Sequence, residues 1–266
     1  MNPYLFMTKS VDGTANNRLE KVISNKEDNR SEFYKKVIEI YKTSWKDPEW
    51  IEWYEARYNS LFERKAELAI GAGPITIFTL DCQAPAVVGQ GQSSVLETHV
   101  SLHPVYGFPY FPGTAIKGAA SHYCHQILGR ENSSYLQDGA YYKMLFGDND
   151  QSAVIHYEDA WPTPASAERV LTLDVLTPHH RKYQNMQSDI DGNFRSERPE
   201  DAPRDDDSPV PIHFLAVQGS FSFRLELDPI AEGVEDWLPV AERIVKAALG
   251  SLGLGGKTSS GYGLFA

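Results

Sequence analysis

At 266 residues, with 41% hydrophobic and 23% charged side chains, the chain can bury a substantial core in one large or two small domains, which excludes wholesale disorder. No apolar run reaches the length of a bilayer, and Met1 to Ser10 lacks the basic start and long apolar core of a secretory leader, so a cytoplasmic protein with no membrane partner is expected. A formal charge of -11 argues against a free chain that coats nucleic acid by bulk electrostatics, because phosphate binding needs neutralising cations.

The charge is segregated. Asp81 and Glu97 are the only acids from Leu68 to Arg130, and from Arg243 to Ala266 there are none although Lys246 and Lys257 are present. Buried elements also lack acids, so this depletion fits a core or an anion-facing surface equally.

Residues 1–67 predict a helical N-terminal extension. Phe33, Val37, Ile40 and Tyr41 recur at helical spacing, and Asp47-Pro48 reads as an N-cap followed by first-turn proline. The next helix carries the stripe Trp50, Trp53, Tyr54, Arg57, Tyr58 and Leu61, which reads as a packing face rather than a base-stacking platform. Residues 68–266 predict the main domain. Ile75, Ile77, Leu80 and Cys82 give a buried strand that feeds the segment Val88-Gly89-Gln90-Gly91. Thr114 can cap a helix carrying Ile116, Ala120, Tyr123 and Ile127 on one side. Strands are expected at Val154 to Tyr157, at Val170 to Leu176, and most clearly at Phe221 to Leu227, where apolar and polar residues alternate. Leu238, Ala241, Ile244, Val245, Ala248 and Leu252 trace an amphipathic helix before a short terminal strand, Tyr262 to Phe265.

This order suits an α+β, split β-α-β arrangement of the ferredoxin-like (RRM-like) kind, interrupted at about residues 181–211 by a proline-bearing acidic insertion that includes Asp205-Asp206-Asp207. The acidic run reads as solvated, and neither a metal nor another cofactor is expected. Cys82 and Cys124 are too few and too distant for a disulfide scaffold or a C-x-x-C site, and read as small buried hydrophobes.

Two glycine segments carry the candidate chemistry. Gly113-Thr114-Ala115-Ile116-Lys117-Gly118 starts a helix, where free N–H groups and the positive dipole end attract anions; an ordinary turn with a surface lysine is the bland alternative. Gly253 to Gly263 is more specific, holding five glycines, Lys257 and the hydroxyls of Thr258, Ser259 and Ser260 in eleven residues. Such a loop lets backbone approach phosphates, with N–H groups near Gly255 and Gly256 expected to reach them while Lys257 supplies charge. Gly256-Lys257-Thr258 imitates the end of a Walker A loop, but Ser251 stands where its first glycine belongs and a helix precedes the segment, so a nucleotide triphosphatase is not expected.

These segments resemble the lysine-bearing helix start and C-terminal glycine-rich loop of the RAMP superfamily. More narrowly, Gly107 to Gly118, Leu173-Asp174 through Pro178-His179-His180, Pro209 to Val217 and Gly255 to Gly263 resemble the sixth-subunit family of type III-B CRISPR Cmr effector complexes. The resemblance implies an RRM-like RAMP fold and a non-catalytic structural subunit in antiviral defence that binds crRNA near its 3′ part, with target RNA left open as a second ligand. Its implied neighbours are the repeating backbone RAMP subunit, the small helical subunit and another RAMP subunit. The RNA-binding residues on this reading are Gly113, Thr114, Lys117, His122, His179, His180, Gly253, Gly255, Gly256, Lys257, Thr258, Ser259, Ser260 and Tyr262.

Departures matter. Ala115 removes a hydroxyl common in the family's helix start, and Ser121 replaces a common basic residue. The family's cleaving subunits use a loop aspartate after the first strand, whereas this loop offers Glu97, so the chain is not expected to be an enzyme. Two rival readings stay open. His122-x-x-His125 and Asp174 beside His179-His180 suit a metal-dependent RNA endonuclease, and a purely protein-protein adaptor would use the glycine loop only for packing.

Overall fold

The structure, a computed structural model, describes residues 2–9, 27–62, 73–89, 100–177, 211–230 and 233–266. His179, His180, Glu97 and nearly all of the 181–211 insertion lie outside the described residues.

Among the described residues the first elements are the helices α1 (Pro3–Lys9), α2 (Glu27–Ser44) and α3 (Pro48–Phe62). The Asp47 carboxylate accepts the Glu49 N–H at 3.1 Å and the Asp47 carbonyl accepts from Ile51, so the Asp-Pro pair starts α3 as expected. Phe33, Val37 and Tyr41 of α2 and Tyr54, Tyr58 and Phe62 of α3 are buried. Trp53, by contrast, keeps 38% of its surface exposed against Tyr106.

The main sheet is antiparallel. β1 (Ile75–Asp81) pairs with β6 (Ser220–Leu227), and β2 (Ile155–Tyr157) and β3 (Trp161–Pro162) share the other edge of β6. The apolar positions read in β6 share one face, with Phe221, Phe223, Leu225 and Leu227 buried and each stabilising the fold by about 1.5–3 kcal/mol, while Ser222 on the other face is buried as well. These apolar side chains face α4 (Gly113–Tyr123) and α7 (Trp237–Ser251), which pack on each other and on this sheet. The opposite face is covered by α3, where the Tyr58 hydroxyl pairs with Ser222 and Arg224 Nη1 donates to the Leu61 carbonyl at 3.0 Å.

Between α4 and β2 lies α5 (Ala140–Phe146), and after β3 comes the short α6 (Pro164–Ala167). A second, two-stranded sheet pairs β4 (Leu171–Leu176) with β5 (Ile212–Val217). Helix α2 packs on this hairpin, and the segment Ala86–Val87 bridges Val217 on one side and Gly256 on the other.

Four local expectations are corrected. The segment Val170 to Leu176 joins this second sheet and not the main one, and its alternation is incomplete because Val175 is 45% exposed. Thr114 does not cap α4, since the helix already begins at Gly113. Ile127 leaves the apolar face because α4 runs into a π turn, Cys124–Leu128, whose longer repeat rotates the stripe so that Cys124 is buried and Ile127 is 37% exposed. The terminal strand shrinks to a bridge between Cys82 and Phe265, with Asp81 and Ala266 exchanging backbone hydrogen bonds at 2.8 and 3.0 Å.

Candidate nucleic-acid interface

The C-terminal loop leaves α7 at Leu252 and returns to the edge of β1 at Leu264 to Ala266. Backbone bonds fix its base: Gly256 donates to the Val87 carbonyl at 2.7 Å, Gly263 to Pro85 at 2.9 Å and Leu254 to Gly263 at 2.8 Å. Gly255 has φ +100°, and a Cβ there would collide with the Val87 carbonyl oxygen, so only glycine allows this approach. The expected phosphate donor Gly256 is therefore already committed to the protein. Gly255, Lys257, Thr258 and Ser259 instead have N–H groups without a hydrogen-bond partner among the described residues.

Lys257 is the only non-glycine residue with positive φ among the described residues, at φ 60° and ψ 26°. It precedes the 3₁₀ turn Thr258–Ser260, whose Ser259 and Ser260 are exposed. A left-handed conformation disfavours any side chain over glycine by about 1–2 kcal/mol. Its ammonium is in no ion pair or hydrogen bond among the described residues. An unpaired cation beside successive free N–H groups is an arrangement suited to an anion.

Tyr262 closes the loop. Its hydroxyl donates to Asp174 Oδ2 at 2.8 Å, its ring meets Phe214, and its N–H reaches the Lys257 carbonyl at 3.4 Å. Burial, then the hydrogen bond to Asp174 and the charge of that carboxylate, push the phenol up to about 12.

The start of α4 is arranged differently. Gly113 is buried, a Cβ there would strike the Tyr157 carbonyl, and its N–H donates to Asp159 Oδ1 at 2.8 Å. An internal carboxylate thus already serves the helix start that was read as an anion site. Thr114 and Lys117 line an open cleft of about 490 Å³ with Asp148, Asp150 and His156. Lys117 has no ion-pair partner among the described residues, whereas Asp148 is paired with Lys143 at 2.9 Å.

The structure thus gathers Gly253 to Tyr262 at one place and Gly113, Thr114 and Lys117 at another, with no loop residue in the cleft. The two places lie apart along β6: the loop is anchored by Val87 and by residues beside the Ser220 end, whereas the cleft is lined by Ile155 and His156, which pair with Leu227 and Glu226 at the other end. His122 is exposed on α4, and His125 Nδ1 accepts from the Gln137 N–H at 3.2 Å. No group of three or more potential metal ligands occurs among the described residues. Both cysteine thiols are pushed up to about 12 by burial. No helix among the described residues is long and apolar enough to cross a membrane. Sequence reasoning missed Asp159, which is 46 residues from its partner, and missed the Asp174 bond to Tyr262 across 88 residues. The adjacency of Asp174 to the His179-His180 motif was the only available signal for the second.

The sequence model of the RAMP superfamily matches residues 79–266. The chain is 27% identical over 232 residues to the CRISPR system Cmr subunit Cmr6 of Pyrococcus furiosus, covering 68% of this chain and 64% of that protein, so it spans just under two thirds of the relative's length. Among solved structures, the chain resembles one in the cryo-EM structure of the type III-B Cmr-beta bound to cognate target RNA, with a TM-score of 0.53 and 20% identity over 98% of this chain and 83% of that one. The crystal structure of Cmr6 from Pyrococcus furiosus aligns over 73% of this chain and 98% of that one at 25% identity and a TM-score of 0.44.

Proposed function

The chain belongs to the RAMP superfamily, and on that premise we propose that it is a non-catalytic, crRNA-binding structural subunit of a type III-B Cmr-like complex, seated near the 3′ part of the guide. The observation that carries this reading is Lys257: an unpaired cation held in a backbone conformation that favours glycine, beside free N–H groups, on a loop anchored at both ends. The relation to a Cmr6 protein supports the choice of complex. The partners on this reading are crRNA, a backbone RAMP subunit, the small helical subunit and another RAMP subunit, in the cytoplasm, with target RNA as a further ligand.

The fold on this reading is ferredoxin-like. Antiparallel β6 lies between β1 and the β2–β3 edge, residues 264–266 lie beyond β1, and α4 and α7 share one face, all of which supports it. Because α3 covers the other face around Ser222 and Arg224, RNA binds at the end of the sheet and not across its strands. The net charge of -11 makes neighbouring subunits part of the groove.

Guide affinity across a salt series, measured with the chain assembled among its neighbours, tests the proposal. Lys257→Gly, which keeps the backbone conformation, is expected to weaken every guide sequence alike and to lower the salt slope by about one unit. Unchanged affinity and slope in a folded, assembled variant would assign the loop to packing and leave the adaptor reading. Metal-dependent RNA cleavage lost on His122→Ala would instead favour a nuclease.

A further inference from the structure

Asp174 has no place in the phosphate-binding reading, and by charge it opposes it. A carboxylate beside a loop that receives a polyanion weakens that encounter, so electrostatics alone predicts tighter binding once it is removed. The hydrogen bonds point the other way. Asp174 Oδ2 accepts the Tyr262 hydroxyl at 2.8 Å, and Oδ1 accepts the neighbouring Val175 N–H at 2.7 Å, which fixes the carboxylate on β4. Tyr262 in turn rests on Phe214 of β5 and donates its N–H to the Lys257 carbonyl. Two bonds therefore connect the β4–β5 hairpin to the residue that carries the cation. The anchors at Gly256, Gly263 and Leu254 hold the base of the loop; within the turn Ser260 donates to the Lys257 carbonyl and Gly261 to that of Thr258, both at 2.9 Å, and Tyr262 ties this turn to the β4–β5 hairpin.

We infer that Asp174 is a positioning residue of the RNA-binding loop: through Tyr262 it fixes the turn that presents Lys257 and the free N–H groups of Lys257 to Ser259. The inference rests on the proposed crRNA contact of this loop. It accounts for an acid placed next to an anion site, because the acceptor for Tyr262 outweighs the repulsion it brings.

The test uses the full chain assembled with its neighbours and a crRNA guide, with Asp174→Asn, Asp174→Ala, Tyr262→Phe and the double variant Asp174→Ala/Tyr262→Phe. Asparagine keeps an acceptor and sheds the charge, so Asp174→Asn is expected to bind at least as tightly as the native chain. Asp174→Ala is expected to lose roughly three- to tenfold in affinity, the size of one hydrogen bond, in a complex that still assembles and melts cooperatively. The double variant should lose no more than the weaker single variant, since both break one bond. An ultraviolet titration should show one phenol moving down from about 12 toward the ordinary tyrosine range in Asp174→Ala. Native or tighter binding by folded Asp174→Ala would overturn the inference, as would an Asp174→Asn as weak as Asp174→Ala. If Lys257→Gly also binds normally, the RNA reading itself falls; if Lys257→Gly fails while Asp174→Ala does not, only the positioning role is lost.

Discussion

The two glycine segments look alike in sequence and are built to opposite plans. In the C-terminal loop the glycines serve the protein's own backbone, with Gly255 pressed on Val87, while Lys257 and the N–H groups around it stay unpartnered. At the start of α4 the glycine is equally pinned, with Gly113 against Tyr157, but the helix end is already served by Asp159. The lesson is that a glycine-rich run identifies where backbone must come close, and the neighbouring unpaired donors identify to what.

Substitutions can break this comparison, and the largest effect is expected at the pinned glycines. Gly255→Val should destabilise by more than about 3 kcal/mol, since it combines a left-handed backbone with a blocked approach. Gly113→Ala should cost about 2–3 kcal/mol by overpacking alone. Thermal melting of both decides it, and a native-like melt for either would remove the close approach as the glycine's reason. Next comes Asp159→Ala, which should cost about 1 kcal/mol as a lost cap; a variant as stable as the parent would reopen the α4 start as a vacant anion site.

Gly118 sharpens the contrast with the opposite sign. A Cβ there meets nothing within 4 Å, so Gly118→Ala should raise stability by about 0.5–1 kcal/mol in chemical denaturation. Loss of stability would mean that α4 needs its glycine for a reason inside the chain. The smallest effect concerns pH. The Tyr262 phenol is raised to about 12, so its contribution is fully present below about pH 10 and disappears as pH rises through about 12. Stability of the parent minus that of Tyr262→Phe should be flat to about pH 10 and shrink beyond it. A difference that grew with pH would contradict the hydrogen bond to Asp174.

What could be read beforehand was set by range. The alternation of β6 and the stripes of α2 and α7 are local patterns that burial follows at most positions, whereas the stripe read on α3 is buried only at Tyr54 and Tyr58, with Trp53 and Arg57 exposed. The π turn after Tyr123 has no local signal, so Ile127 was assigned to the wrong side. The terminal strand was read from Tyr262 to Phe265, yet the turn at Gly261 to Gly263 consumes half of it. Nothing near Val170 to Leu176 announces that its partner is Ile212 to Val217, which reads as a short apolar run without alternation. The glycine loop was legible as an anion site from composition, but which donors remain free depended on Val87 and Pro85, about 170 residues earlier in the chain.

The pairing of β1 also has a consequence for how the chain is made. Its neighbours are β6 and residues 264–266, and even the nearest contact, Asp81 with Ser220, spans 139 residues. At about 5–20 residues per second, β1 leaves the ribosome roughly 7–28 s before its first partner strand exists. During that interval a Thr-Ile-Phe-Thr-Leu segment has two open edges. The N-terminal helices are made before it, and α3, which later covers the same sheet, is already complete by then. The helical extension is therefore placed to act as a temporary cover during synthesis, and shortening it should show first as aggregation of newly made chains.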